Sequence, residues 1–142
     1  MRILGLDIGA GTKDILLYDS EKSIENCIKM VIPSPSSLYG RQIEEAGVDL
    51  YINGYTIGGG ELGERLRLHM SKGFRVYMGE EAAFSLYSDL SRVKGLGIAV
   101  GEPPKAFRGE RIHFDEVDIQ WLDRLFRDFM ESLGEVEAVA VA

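Results

Sequence analysis

The sharpest chemistry in the sequence lies in Asp7-Ile8-Gly9-Ala10-Gly11-Thr12-Lys13-Asp14. Glycines remove the Cβ atoms that would hold an anion away from the backbone. A tight glycine turn lets backbone N–H groups converge on a phosphate. Thr12 adds a hydroxyl donor and Lys13 a positive point charge. Asp7, at the end of an apolar run, is placed to hold a hydrated Mg²⁺. Together these are the parts of a nucleotide-phosphate site. A plain hairpin turn, with Asp7 an ordinary polar residue at a strand end, is the alternative. Two familiar phosphate loops do not fit this turn. A dinucleotide fingerprint needs a third glycine and a following helix, and Ile15 to Tyr18 read as strand. The P-loop needs Gly-Lys followed by Ser or Thr, and the chain contains no Gly-Lys.

A second candidate is Ile57-Gly58-Gly59-Gly60-Glu61, between a strand pattern and a helix pattern. Helix N-termini attract anions through free N–H groups and the dipole. The helix that follows carries Arg65, Arg67, His69 and Lys72, a basic cluster in an acidic chain. It could bind an anionic metabolite or a partner. Equally, the glycines could serve a close turn, and the arginines could form a solvated face paired with Glu61 and Glu64.

Other candidates are weak. His69 and His113 are the only histidines and have no matched spacing, so a zinc site is not expected. No Ser–His–Asp arrangement can be read from spacing. Cys27, the one cysteine, excludes a disulfide within the chain and a multi-cysteine cluster. It reads as a small buried hydrophobe. Asp115-Glu116-Val117-Asp118 reads as an acidic helix start.

The elements that must position these residues alternate strand and helix. Ile3 to Ile8 and Asp14 to Tyr18 are apolar runs joined too closely to be anything but a hairpin. Cys27 to Ile32 is a third strand, stopped by Pro33-Ser34-Pro35. A helix then runs from Ser36 or Ser37 to about Ala46. Val48, Leu50 and Ile52 alternate with polar residues as in a strand. A helix over 61–71 follows, with Leu62, Leu66 and Met70 on one face, then a strand over 74–78. Two short helices over 80–94 and a strand over 95–100 precede a polar loop over 101–111. The spacing of Ile119, Leu122, Phe126, Phe129, Met130 and Leu133 predicts a helix over 118–133, capped by Asp118 and ended by Gly134. Val136 to Ala142 reads as a buried central strand, which suggests the N-terminal part of a longer protein.

Composition bounds the function. The chain has 142 residues, 23 acids against 16 bases, and a net charge of −7, which argues against nucleic acid as the main partner. No run approaches the roughly 18 apolar residues of a membrane span. The N-terminus does not read as a secretion signal, and a cytoplasmic home is expected. Seventeen glycines exceed the average of about 7%.

A strand, an Asp-x-Gly-x-Gly-Thr turn and an antiparallel strand at the N-terminus resemble the phosphate-1 motif of the actin-like ATPase superfamily. That superfamily includes actin, the heat-shock chaperone ATPases and the sugar and acetate kinases. The resemblance implies a ribonuclease-H-like α/β fold, a mixed five-stranded sheet whose first three strands are antiparallel, flanked by helices. It implies that Gly9, Ala10, Gly11, Thr12 and Lys13 wrap the phosphates of ATP, with Asp7 facing Mg²⁺ through water. Further residues sharpen it: Pro33-Ser34-Pro35-Ser36, Gly54 to Gly60, His69, Gly73 to Tyr77, Ala82-Ala83, and Asp89 through Val93. They are similar to a mainly archaeal family with an actin-like ATPase domain, sometimes labelled as related to the pyruvate formate-lyase activating enzyme. Radical activating chemistry needs three closely spaced cysteines, and only Cys27 is present. The resemblance implies residues 1–142 as one N-terminal lobe, with the nucleotide and the remaining C-terminal part as partners. Such a lobe alone has half a site, so it is expected to bind nucleotide weakly without turning it over.

Overall fold

The computed structural model describes residues 1–57 and 60–142. In chain order its elements are β1 (Arg2–Ile8), β2 (Thr12–Asp19), β3 (Ile28–Pro33), α1 (Pro35–Glu45), β4 (Leu50–Tyr55), α2 (Gly60–Ser71), β5 (Val76–Met78), α3 (Glu80–Phe84), α4 (Leu90–Gly95), β6 (Ala99–Val100), β7 (Glu110–Asp115), α5 (Ile119–Arg127) and β8 (Ala138–Val141). No helix among the described residues is long and apolar enough to cross a membrane. The fold is mixed α/β. The strands form two four-stranded sheets, not the single five-stranded sheet expected. Two compact units result, Met1–Ser34 with Val117–Ala142, and Pro35–Glu116.

The first unit has the sheet order β3-β2-β1-β8. β1 and β2 pair antiparallel with Asp7 opposite Asp14 and Ile8 opposite Lys13, so Gly9 to Thr12 make the turn. β3 lies antiparallel on the far edge of β2, and β8 lies parallel on the far edge of β1. Leu4, Leu6, Ile8, Ile15 and Leu17 alternate onto one face, where Leu122 and Phe126 of α5 pack. Asp118 caps α5 as expected, its carboxylate accepting from the Trp121 N–H at 2.9 Å. The helix nevertheless ends at Arg127, six residues short of the expected stripe. Glu131 N–H returns to Phe126 O and Met130 N–H to Arg127 O, with Met130 at φ 61°. That is a Schellman stop with methionine in the left-handed place that glycine usually holds. Phe129 and Met130 therefore leave the core and stand 53% and 96% exposed. Gly134, expected to end the helix, lies in a separate 3₁₀ turn.

β8 also departs from expectation. It has one neighbour, β1, and all four of its residues are exposed, so it is an edge strand. An ionic cluster ties the start of β1 to the segment after α5. The Arg2 guanidinium grips Glu131 and Glu135, and Lys22 Nζ donates to Glu131 at 3.0 Å.

In the second unit all pairings are parallel, with the order β6-β5-β4-β7. Leu50, Ile52, Val76, Met78, Ile112 and Phe114 share a core with Ile43 of α1 and with Leu62 and Leu66 of α2. α1 and α2 approach closely where Gly40 meets Arg65, whose Cγ would lie 3.4 Å from an added Cβ. β7 was not expected: its first two residues fall in the expected loop over 101–111, and Asp115, expected to open a helix, ends the strand. Its Ile112 and Phe114 alternate inward and seal the β4 edge. The segment before it crosses the opposite face, where Glu102 accepts from the Tyr51 hydroxyl and Phe107 meets the Tyr77 ring edge-on at 5.8 Å.

Glu131 is held below the usual carboxylate range, first by the Lys22 hydrogen bond and then by Arg2. A lowered pKa gives stability that is present above the ordinary carboxylate value of about 4.3 and is lost as pH falls through the folded value. Glu131→Gln is therefore expected to lower Tm at pH 7 and to have little effect at pH 2–3, in thermal melts of both chains at the two pH values.

Candidate functional site

The hairpin turn is built by Ser34 as much as by its own glycines. The Gly9 N–H donates to Thr12 O at 2.9 Å and closes the turn. Ser34 Oγ donates to Ala10 O at 2.8 Å and the Ser34 N–H to Gly11 O at 3.0 Å. Three turn carbonyls are thus engaged within the unit, which removes acceptors that would repel an anion. A Cβ at Gly11 would meet nothing within 4 Å, so the backbone there lies open. Ser34 is fully buried, and sequence reasoning did not assign it to the site. Its signal was its place between Pro33 and Pro35, which hold the chain extended where it meets the turn.

Asp7 is exposed at the end of β1, beside the turn. Asp14 stands directly opposite it on β2 and shares its face. The Thr12 hydroxyl lies 3.4 Å from Asp14 Oδ2. Two carboxylates and a hydroxyl are hard oxygen donors of the kind Mg²⁺ takes. Asp14 closes the sequence motif but was given no role there; the register is what brings it to Asp7. A groove of about 610 Å³ runs from these acids along the sheet over Gly5, Leu16 and Ala140, with Lys29 beside it.

Lys13 is not brought to this face. It is 3% exposed and alternates with Ile15 and Leu17 onto the opposite face of the sheet. Asp7, Gly9, Ala10, Gly11 and Thr12 are thus gathered at one turn, while the Lys13 side chain is directed away from Asp7 and Asp14.

Of the second glycine loop, Gly58 and Gly59 lie outside the described residues, and Gly60 opens α2. The basic cluster behind it is already paired. Arg65 binds Glu44 and Glu61, Arg67 lies 3.8 Å from Glu64, and Lys72 donates to Glu44 O. His69 is 1% exposed, stacks on Phe74 at 5.0 Å and bonds Val48 O through Nε2. His113 lies elsewhere, on β7, with Nδ1 2.8 Å from Asn53 Oδ1. Cys27 is buried, as expected of a small hydrophobe.

The geometry defines an α/β protein with a glycine turn flanked by paired carboxylates. Residues 57–142 match the family described as "Putative pyruvate format-lyase activating enzyme (DUF1786)", and the chain belongs to that family. The matched span takes in α2 through β8 and leaves out the Asp7–Lys13 turn. No curated protein and no solved structure matches the chain.

Like charges directly opposite across a strand pair destabilise it by roughly 0.2–1 kcal/mol. Asp14→Asn is accordingly expected to raise stability by a few tenths of a kcal/mol in low salt with chelator. Added Mg²⁺ should stabilise the unsubstituted chain more than the variant. Urea melts with and without Mg²⁺ check both effects.

Proposed function

We propose that the first unit is the phosphate-holding part of an actin-like ATPase or small-molecule kinase, built on a ribonuclease-H-like sheet. The observation that carries this reading is Asp7 at the end of β1, exposed, beside a glycine turn whose Ala10, Gly11 and Thr12 carbonyls are hydrogen-bonded within the unit and whose Gly11 lies open. The strand pattern supports it. β1, β2 and β3 are successive antiparallel strands, as the resemblance implies, and α5 then leads into β8 parallel to β1.

The residues present fit a magnesium–phosphate group at Asp7, Asp14, Thr12 and the Ala10–Gly11 backbone, while the Gly9 N–H closes the turn onto Thr12 O. They do not fit it at Lys13, whose side chain serves the buried face. Bound Mg²⁺ would supply charge neutralisation of the phosphate oxygens. The chain's own part is to hold and orient. Asp7 and Asp14 offer carboxylate oxygens, Thr12 a hydroxyl, and Ser34 fixes the turn so that little rearrangement accompanies binding.

The description of the family names an activating enzyme. Iron–sulfur ligation of that kind uses several cysteine thiolates, and this chain has only Cys27, which is buried. Radical activation is therefore not chemistry these residues carry. The alternative of an anion-binding basic helix loses support because Arg65, Arg67 and Lys72 are already engaged with acids and a carbonyl of their own unit.

Calorimetric titration with ADP, with and without Mg²⁺, tests the reading. The expected result is Mg²⁺-dependent binding that Asp7→Ala weakens about tenfold or more, a loss of roughly 1.4 kcal/mol. ATP turnover by residues 1–142 should stay well below a kcat of about 1 s⁻¹. Equal ADP affinity in the Asp7→Ala chain would sink the proposal.

A further inference from the structure

The second unit carries a cavity that the hairpin turn does not touch. Its strands are all parallel, so the residues just before β4, β5 and β7 meet at one end of the sheet. These residues are Asp49, Arg75 and Gly109. Their backbones are joined there: the Leu50 N–H donates to Arg75 O and the Glu110 N–H to Asp49 O, each at 2.9 Å. The segment from β6 to β7 must run back along the sheet, because β7 is parallel to the other strands. It brings Phe107 to that same end, where a cavity of about 480 Å³ opens among Asp49, Phe74, Arg75, Tyr77, Phe107 and Arg108.

The aromatic walls are fixed from behind. Phe74 stacks on the buried His69 at 5.0 Å, and His69 Nε2 is in turn bonded to Val48 O at 3.0 Å. Phe107 meets Tyr77 edge-on at 5.8 Å, and the Arg111 guanidinium lies 5.6 Å from the Phe107 ring centre. Gly109 pins the loop to the strand beside it. A Cβ there would lie 1.8 Å from Asp49 O and 2.6 Å from Phe107 Cζ, so glycine is what allows this approach. A recess whose walls are already held loses little freedom when a ligand enters.

The lining is cationic in a chain that is acidic overall. It has two guanidinia, Arg75 and Arg108, against one carboxylate, Asp49. Asp49 is turned to Arg75, accepting from its backbone N–H at 2.8 Å and its Nε at 3.3 Å. Arg108 is exposed and donates to Phe107 O at 3.1 Å through Nη1 alone, one of the several donors of its fork. The nearby acids Glu102 and Glu110 are engaged elsewhere, with the Tyr51 hydroxyl and with Gln42. The balance of one positive charge suits a monoanion, and a planar guanidinium fork matches a carboxylate through two parallel hydrogen bonds. A bare anion needs far less room. The cavity falls in the range of roughly 300–1,000 Å³ typical of small-molecule sites, and its rings call for an aromatic body on the same ligand.

We propose that this recess binds a small aromatic carboxylate, with its ring among Phe74, Tyr77 and Phe107 and its carboxylate on Arg108, Arg75 standing beside it. The site lies wholly in the second unit and owes nothing to Asp7. It also needs no Mg²⁺, because the charge it meets is a guanidinium.

The test titrates the 142-residue chain with naphthylacetate in chelator, by calorimetry and by NMR of the aromatic side chains. Saturable binding with a Kd below about 1 mM is expected, with shifts in the ring signals of Phe74, Tyr77 and Phe107. Naphthylacetamide, the uncharged isostere, should bind about tenfold more weakly. Arg108→Gln should weaken the carboxylate about tenfold and leave the amide unchanged, while Arg108→Lys, which keeps the charge and loses the fork, should fall between. Arg108 is exposed, and circular dichroism would verify that each variant keeps its fold. The proposal is overturned if the unaltered chain does not bind the carboxylate with a Kd below about 1 mM. It is equally overturned if Arg108→Gln shifts that affinity less than about threefold, or if the rings that respond lie in the first unit. Ring signals that move with protein concentration instead would make a second copy of the chain the occupant, and would overturn it too. Failure here would leave the Mg²⁺-dependent ADP binding assigned to Asp7 untouched.

Discussion

A β-strand has two hydrogen-bonding edges, and the central strands of this protein fill both of theirs. β1 is paired by β2 on one side and by β8 on the other. β4 is paired by β5 and β7. Neither strand has an edge left for the other, so the eight strands close into two sheets with separate cores. The places where chemistry can occur follow from the same saturation. The hairpin turn sits at the end of β1, between its pairing with β2 and its pairing with β8.

Local structure is well marked in the sequence wherever one short-range signal decides it. The hairpin is legible because five residues between two apolar runs leave no other connection. α1, α2 and the two short helices near 80–95 follow from spacing and from the glycines and prolines between them. Elements set by distant partners are less legible. Glu110 to Asp115 lies in a polar neighbourhood, and its Ile112 and Phe114 are the whole of its strand signal. Its role depends on finding β4, some 60 positions earlier in the register. α5 carries an apolar stripe that continues past its end, yet a methionine takes the left-handed stop.

The candidate sites show the same division. The Gly9–Thr12 turn and Asp7 are readable as a motif, since they are contiguous. Asp14 becomes relevant only through the register that sets it opposite Asp7. The burial of Lys13 was readable in principle, because it shares parity with Ile15 and Leu17. Ser34 reaches the turn because β3 brings it alongside. Glu116, read locally as part of an acidic helix start, accepts instead from the Thr56 hydroxyl and the Ile57 N–H, a pairing set by the β4–β7 register.

The topology of the first unit also sets an order of events. β1 must wait for β8, its parallel partner, across more than 130 residues, while β2 and β3 arrive almost at once. Loop-closure entropy grows only slowly with length, but non-local pairing is slow to form. At ribosomal rates, the interval between the emergence of β1 and β8 is on the order of ten seconds. Through that time the three-stranded sheet has an unpaired β1 edge and lacks α5 over its apolar face. The intervening 82 residues, Pro35–Glu116, form a compact unit with a hydrophobic core of its own. Nascent chains stalled before α5 should therefore be where chaperones engage this protein.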